Sequence, residues 1–440
     1  MSDLNAFILS EKQMPEQVPE SKKDGSLFGL SFAVADNFST KSIETTCGSK
    51  ILKGYIPPFD GFAVEEMKKA GAVLAGKLNL AEFGVLGASS TIGAVKNPWD
   101  SSKKGGPCGS AAAVVSGTVP VALASDAGGL SRVAASYCGA SAFKPSYGAI
   151  SRFGLIYTAG SMDQIAVTAT TVSNIVKVLD VISKNDDRDT TSLPEKLDYV
   201  CKIKSGDDKP LSGLKIGIPQ EYLQGADDGV EKTFSEAVLT LGKLGAVCES
   251  CSLPNTKYVQ AVHDIISAGE SSAMLAKYDG TRFGPHIQAD NWHEMAAKTR
   301  ALFGPAVQRR IILGIYLLSV AQYQDYYVKS LQTRTLIVNE METALKKYDL
   351  LISPTTLKTA PTLGTSCRAG CDDEFSSFSA AIGSVDLVGL PAASVPCGFV
   401  DKMPVGLQII GGYLNDAAVI QAMEAFEKHT DFSKKTPGVI

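Results

Sequence analysis

Seven short apolar runs recur along the chain, each too brief to be a core helix: LFGLSFAVAD from Leu27, AVLAGKLN from Ala72, VPVALASD from Val119, LKIGIPQE from Leu214, YDLLISPTT from Tyr348, PAASVPCG from Pro391 and VGLQIIGG from Val405. Runs of this length, punctuated by glycine and proline, read as strands buried on both faces. Between them lie segments with helical spacing, including DGFAVEEMKKAG closed by Gly71, the small-residue stretch SAAAVVSGT, and DAAVIQAMEAFEKHT near the end. Residues 256–347 have few prolines and apolar residues three and four apart, so they read as largely helical. Residues 185–212 are rich in charge and turn formers and read as a surface connection. Strands interleaved with helices, with no clean break, predict one large α/β domain over 1–440. Within it, 1–28 is a polar, poorly patterned segment and 256–347 a helical insertion.

Composition narrows the function classes. The 440 residues are 45% apolar and 20% charged with a net charge of −4, so there is no basic footprint for nucleic acid. The N-terminus lacks a basic region followed by an apolar one, and no apolar run reaches the roughly 18 residues of a membrane helix. Nine cysteines, an odd number in a long chain, suit reduced thiols and a cytoplasmic location. Cys248 with Cys251, and Cys367 with Cys371, could together form a four-thiolate zinc site. The strand-like alternation of GAVCESCSLP points Cys248 and Cys251 to opposite faces, which favours structural thiols and no metal.

The stretch SDAGGLSRVAAS, residues 125–136, raises a chemical question. Its turn, Ala127–Gly128–Gly129, can converge backbone N–H groups as an oxyanion hole does. A nucleophile would follow the glycines, yet Leu130 stands there. Asp126 and Arg132 are placed to pair within the loop. The glycines themselves could serve only the turn, which needs positive φ angles.

These stretches, together with TTCGSKIL, KNPWD, SYCGASAFKPSYGAISRFGLI, KYDGTRFG and AVQRRIILG, resemble the amidase signature family. Within that family they are most like the A subunits of glutamyl-tRNA(Gln)/aspartyl-tRNA(Asn) amidotransferases. The resemblance implies a mixed β-sheet core between helical layers, protein partners similar to the B and C subunits, contact with tRNA only through them, and no cofactor. It also implies that the chain begins part-way through the family's N-terminal helical region. The family attacks an amide with one serine, relays its proton through a second serine on a cis peptide bond, and uses a buried lysine as base.

All three positions differ here. Where the pattern calls for the lysine, GLSFAVADN has Ala35, although Asp36 and Asn37 beside it match. Where it calls for the relay serine, GGPCGSAAA is one residue shorter and has Pro107 after Gly105 and Gly106. The nucleophile position holds Leu130. The loop SSTIGA, Ser89 to Ala94, is shortened, and Ser379 stands where an acidic residue would hold the amino group of glutamine. Arg309 or Arg310 matches the partner for the glutamine carboxylate, and Asp163 with Gln164 could shape a pocket wall.

Two residues could replace the nucleophile. Ser131 is one step beyond the lost position and would face a different way. Cys108 precedes the SAAAVV helix, whose N-terminus would lower its thiol pKa, although a space-filling role is the simpler reading. None of the four histidines lies near the glycine loops in sequence. The residues therefore predict an amidase-like fold without amide hydrolysis, acting as a scaffold or binding subunit. The alternative is an active amidase or amidotransferase that uses Cys108, Ser131 or a residue from a partner.

Overall fold

The run at Val119 becomes a strand in which all five residues, Val121–Ser125, are buried, because helices cover both faces of the sheet at this point. The computed structural model describes residues 4–14, 25–85, 87–199, 208–364 and 379–438. Its strands are β1 (Phe7–Ser10), β2 (Ser31–Ala35), β3 (Val73–Leu78), β4 (Val95–Lys96), β5 (Lys104–Gly106), β6 (Val121–Ser125), β7 (Ser141–Lys144), β8 (Ile165–Ala169), β9 (Lys215–Pro219), β10 (Val247–Cys251), β11 (Leu350–Pro354), β12 (Ala392–Val400) and β13 (Met403–Gly411). Eleven of them form one mixed sheet in the order β1-β3-β2-β6-β8-β7-β12-β13-β11-β9-β10, while β4 and β5 make a separate ribbon. The sheet is parallel at β3-β2-β6 and at β11-β9-β10 and antiparallel elsewhere. The chain is thus an α/β protein with a large mixed sheet.

The helices are α1 (Phe62–Lys69), α2 (Ser110–Val115), α3 (Leu130–Cys138), α4 (Val172–Ile182), α5 (Asp228–Lys243), α6 (Val259–Leu275), α7 (Trp292–Arg300), α8 (Pro305–Leu317), α9 (Lys329–Lys347), α10 (Ser379–Val388) and α11 (Asp416–Lys428). Residues 259–347 hold α6 to α9 and a π-helical turn at Tyr323–Val328. Helices α6 and α8 pack so closely that a Cβ on Gly314 would lie 2.1 Å from the Ala268 carbonyl oxygen. The carboxylate of Glu82 accepts the Gly304 N–H at 2.9 Å, just ahead of α8, and the Ser49 hydroxyl as well, which ties the helical segment to the sheet.

One reading changes. Residues 7–10, expected to be unpatterned, form an antiparallel edge strand against β3; all four are half-buried, so their alternation is weak. The pair Cys248 and Cys251 lies on the edge strand β10, three residues apart and so on opposite faces, while Cys367 and Cys371 lie outside the described residues. Among the described residues no cluster of three histidine, cysteine or acidic side chains could hold a metal, and no helix is long and apolar enough to cross a membrane.

Candidate active site

The site is built where three chain segments meet: the end of β2, the loop before α2, and the turn between β6 and α3. Ala35, the last residue of β2, is 1% exposed and pairs in register with Leu78. Asp36 follows. Its carboxylate accepts the Thr46 N–H at 2.8 Å and the Thr46 hydroxyl at 2.5 Å. Its other oxygen lies 3.4 Å from Lys77 Nζ, a buried lysine that sequence reasoning passed over. Burial raises the Asp36 pKa and lowers that of Lys77, and each charge opposes the shift of the other.

Lys77 does not share the position of Ala35. It lies opposite Val34 in the parallel β2–β3 pair, so its side chain shares Val34's face of the sheet, and Ala35 points the other way. Its ammonium group is taken up by the Phe38 carbonyl (2.6 Å), Thr45 Oγ1 (2.8 Å) and Thr40 Oγ1 (3.0 Å). Asn37 donates to Ser125 Oγ at 3.0 Å and to the Ile156 carbonyl at 3.2 Å, linking β2 to β6.

The loop before α2 offers no free nucleophile. Pro107 accepts the Ala81 N–H at 2.8 Å, and no peptide bond among the described residues is cis. Cys108 is 2% exposed, with its sulfur 3.1 Å from Ser110 Oγ and 3.7 Å from the Leu130 carbonyl oxygen. Burial pushes its thiol pKa up, against the hydrogen bonds from Ser110. This corrects the expectation of a lowered pKa: a helix of six residues, α2, does not offset the loss of water around the sulfur.

The turn before α3 explains its glycines by packing. Gly128 and Gly129 have φ of 75° and 82°, and a Cβ on Gly129 would lie 1.9 Å from Ile382 Cγ2 on α10. Ala127, half-buried, begins the turn. The Gly128 N–H is turned to the Asp386 carboxylate and favours its charged form, against the larger opposing effect of burial. Leu130 is 2% exposed and lies over Gly84, where an added Cβ would be 3.4 Å from its Cδ1. Ser131 is buried and donates to the Ser125 carbonyl at 3.2 Å, and its hydroxyl also lies within hydrogen-bond reach of the Cys108 thiol.

Beneath this turn lies a buried charge network. Arg132 and Asp126 do pair, Nε to Oδ2 at 3.0 Å. The same guanidinium also grips both oxygens of Asp386 at 2.9 Å and donates to Gln408 Oε1 at 2.8 Å. Lys144 Nζ sits 4.0 Å from Asp386 and donates to the Leu390 carbonyl at 2.5 Å and to Gln164 Oε1 at 3.3 Å. Burial pushes Asp386 up to about 7, against the pull of Arg132. It brings Lys144 down to about 8, against the pull of Asp386. The sequence reading reached one pair of this network and missed Lys144, Asp386 and Gln408.

The remaining candidates scatter. Gln164 is part of the network, and its carbonyl accepts the Asp126 N–H at 2.8 Å. Asp163 accepts the N–H groups of Thr158 and Ala159 at 3.0 and 2.8 Å, and burial raises it to about 6. Arg310 pairs with Asp264 on α6 at 3.3 Å and donates to Ser267 at 2.9 Å, while Arg309 is exposed. Ser379 is the first residue of α10, the helix that meets both Gly129 through Ile382 and His263 through Gly383. His263 is buried on α6, and burial brings its pKa down to about 3, so the ring is neutral.

The motifs, the sheet order and the placement of these loops all agree with one family. The chain belongs to the amidase family. The family profile, described as Amidase, matches residues 4–420. The chain is 44% identical to the A subunit of the glutamyl-tRNA(Gln) amidotransferase of Methanococcoides burtonii, over 97% of this chain and 90% of that one. It is 42% identical to the protein of the same name from Symbiobacterium thermophilum, over 94% of this chain and 86% of that one. The crystal structure of the corresponding A subunit from Thermotoga maritima superposes with a TM-score of 0.81 at 35% identity, covering 98% of this chain and 88% of that one. Against that family's chemistry, the side chains at 35, 107 and 130 are a methyl, a pyrrolidine ring and an isobutyl group. None of them can carry or accept a proton.

Proposed function

We propose that this chain is an A-subunit-like member of the tRNA-dependent amidotransferases that has given up amide hydrolysis and serves as a scaffold or binding subunit in the cytoplasm. Its partners are proteins resembling the B and C subunits, and tRNA is reached only through them. The observation that carries the reading is Ala35, Pro107 and Leu130 at the three positions where serine attack needs a base, a relay and a nucleophile. No neighbour supplies the lost chemistry. The Cys108 thiol is buried and held protonated, Ser131 is bonded to a carbonyl, and Lys77 and Lys144 are held by carbonyl and side-chain oxygens. The names of the relatives support a place in such a complex. Ile312, Ile315 and Tyr316 are exposed in the C-terminal half of α8 and Val320 just beyond it, exposed apolar side chains of the kind that partners cover.

The test is ammonia release from glutamine, asparagine and simple amides, by the full chain alone and with candidate B and C subunits, beside a Cys108→Ala, Ser131→Ala double variant. No release above that variant, together with co-elution with the partner proteins, is the expected result. Release that the double variant loses would overturn the reading and make one of those residues a nucleophile. Release that appears only with partners and survives in the double variant would overturn it in favour of a residue supplied from outside.

A further inference from the structure

A cleft of about 500 Å³ opens between the loop after Ile51 and the turn from Lys277 to Pro285. None of the residues placed at the catalytic positions lines it, and its floor is Ser39, Leu155 and Ile156. Two features of its walls stand out. Aromatic rings face it from both sides, Tyr55 and Phe59 from one loop, Tyr278 and Phe283 from the other. Phe283 is 50% exposed and Phe59 39%, so these rings meet water at the mouth instead of closing a core.

The second feature is charge. Lys53, Lys277 and Arg282 line the cleft, and no aspartate or glutamate does. The Lys277 ammonium lies 5.4 Å from the Tyr278 ring centroid and 5.8 Å from that of Phe283, resting on aromatic faces. Three cations around a concave surface without carboxylates focus a positive potential inside it. A guanidinium at the rim offers a planar fork for carboxylate or phosphate, and the rings offer stacking surfaces for a flat body. The volume falls in the range of pockets that enclose small ligands.

We propose that this cleft binds a small ligand in which a planar aromatic ring carries an anionic group, either a phosphate or a carboxylate. Tyr55, Phe59 and Phe283 hold the ring, and Lys277 with Arg282 holds the anion. The proposal does not depend on whether the chain hydrolyses amides.

Calorimetric titration of the full chain tests it, with 5′-AMP and indole-3-acetate as ring-bearing anions and adenosine, indole, inorganic phosphate and acetate as the separate halves. Saturable binding of at least one ring-bearing anion is expected, with its matching half at least about tenfold weaker. Binding of AMP alone identifies a phosphate site, and binding of indole-3-acetate alone a carboxylate site; either supports the proposal. Lys277→Glu and Arg282→Glu are each expected to weaken binding by about tenfold or more, and Phe283→Ala by a similar factor. All three residues are exposed, so unchanged melting curves will show that the variants are folded. Lys277→Ala and Arg282→Ala replace them if a reversal proves unstable. No saturation by either ring-bearing anion up to about 5 mM, adenosine binding as tightly as AMP, or affinity unchanged in both charge variants would overturn the proposal.

Discussion

Replacing Arg132 by methionine removes the one cation that holds two buried carboxylates together. The guanidinium makes hydrogen bonds of 3.0 Å to Asp126 and 2.9 Å to Asp386, and all three side chains are inaccessible to solvent. Methionine keeps much of the volume and leaves both carboxylates without their counter-ion. Lys144 is 4.0 Å from Asp386 and already bonded to oxygens elsewhere, so it compensates little. Breaking a buried pair this way costs about 3–5 kcal/mol. At roughly 2 cal/mol/K of unfolding entropy per residue, that is a fall in Tm of about 3–5 °C for a chain this long. Urea unfolding followed by circular dichroism measures the loss directly, provided that the transition is reversible. The loss is expected to shrink at acid pH, where the stranded carboxylates take up protons. Adding Asp126→Asn and Asp386→Asn is expected to recover at least half of it. A loss under about 1 kcal/mol, or the same loss with the carboxylates neutralised, would refute the account of Arg132 as a counter-ion.

Asp386 itself carries a pH signature. Its folded pKa of about 7 lies above the unfolded value near 3.9, so the folded state holds more protons between those limits and the residue's contribution to stability falls as pH rises through that window. The stability of the protein relative to its Asp386→Asn variant should therefore decline from about pH 4 to about pH 7 and level off above, as followed by urea midpoints across that range. Gly129→Ala meets both a left-handed φ and the Ile382 side chain, so a loss of at least about 2 kcal/mol is expected, and adding Ile382→Ala should return only the part due to the clash. Cys108 should not react with a thiol reagent in the native protein: counting fast-reacting thiols before and after Cys108→Ala should give the same number, and a drop by one would contradict the burial of its sulfur.

Most of the sheet was legible because its strands are buried on both faces, and such strands read as apolar runs whatever their partners. Strand β1 was not, since Phe7–Ser10 are only half-buried and a four-residue edge strand shows little pattern, and neither were β7 and β8, which are fully buried but only four and five residues long. The charge network divides along similar lines. Asp126 and Arg132 are six residues apart and could be paired by eye, whereas Asp386 joins them from 254 residues away and leaves no local trace. Lys77 and Lys144 did leave one. Each is a lysine inside an otherwise apolar strand, in AGKLN and in SAFKP, and a charge there must be either paired or shifted in pKa. The Cys108 expectation failed for a physical reason: the sequence shows the helix that follows the thiol but not the depth at which the sulfur is buried.

The structure separates two kinds of residue that a family motif runs together. Gly129 is needed because Ile382 leaves no room for a Cβ, Gly106 because a Cβ would meet Ala134 at 2.7 Å, and Arg132 because two carboxylates are buried against it. Each has a job in folding, so each is expected in any working copy of this fold, active or not. A lysine at 35, a serine at 107 and a serine at 130 have no such job, since their polar groups serve only reacting atoms. Buried in the fold, such groups cost free energy to desolvate, which hydrogen bonds among the three offset only in part. Alanine, proline and leucine at those positions remove that cost while the glycines and charges stay. The pattern of what is present and what is replaced thus follows the division between folding and chemistry, which is the pattern that the proposed loss of hydrolysis calls for.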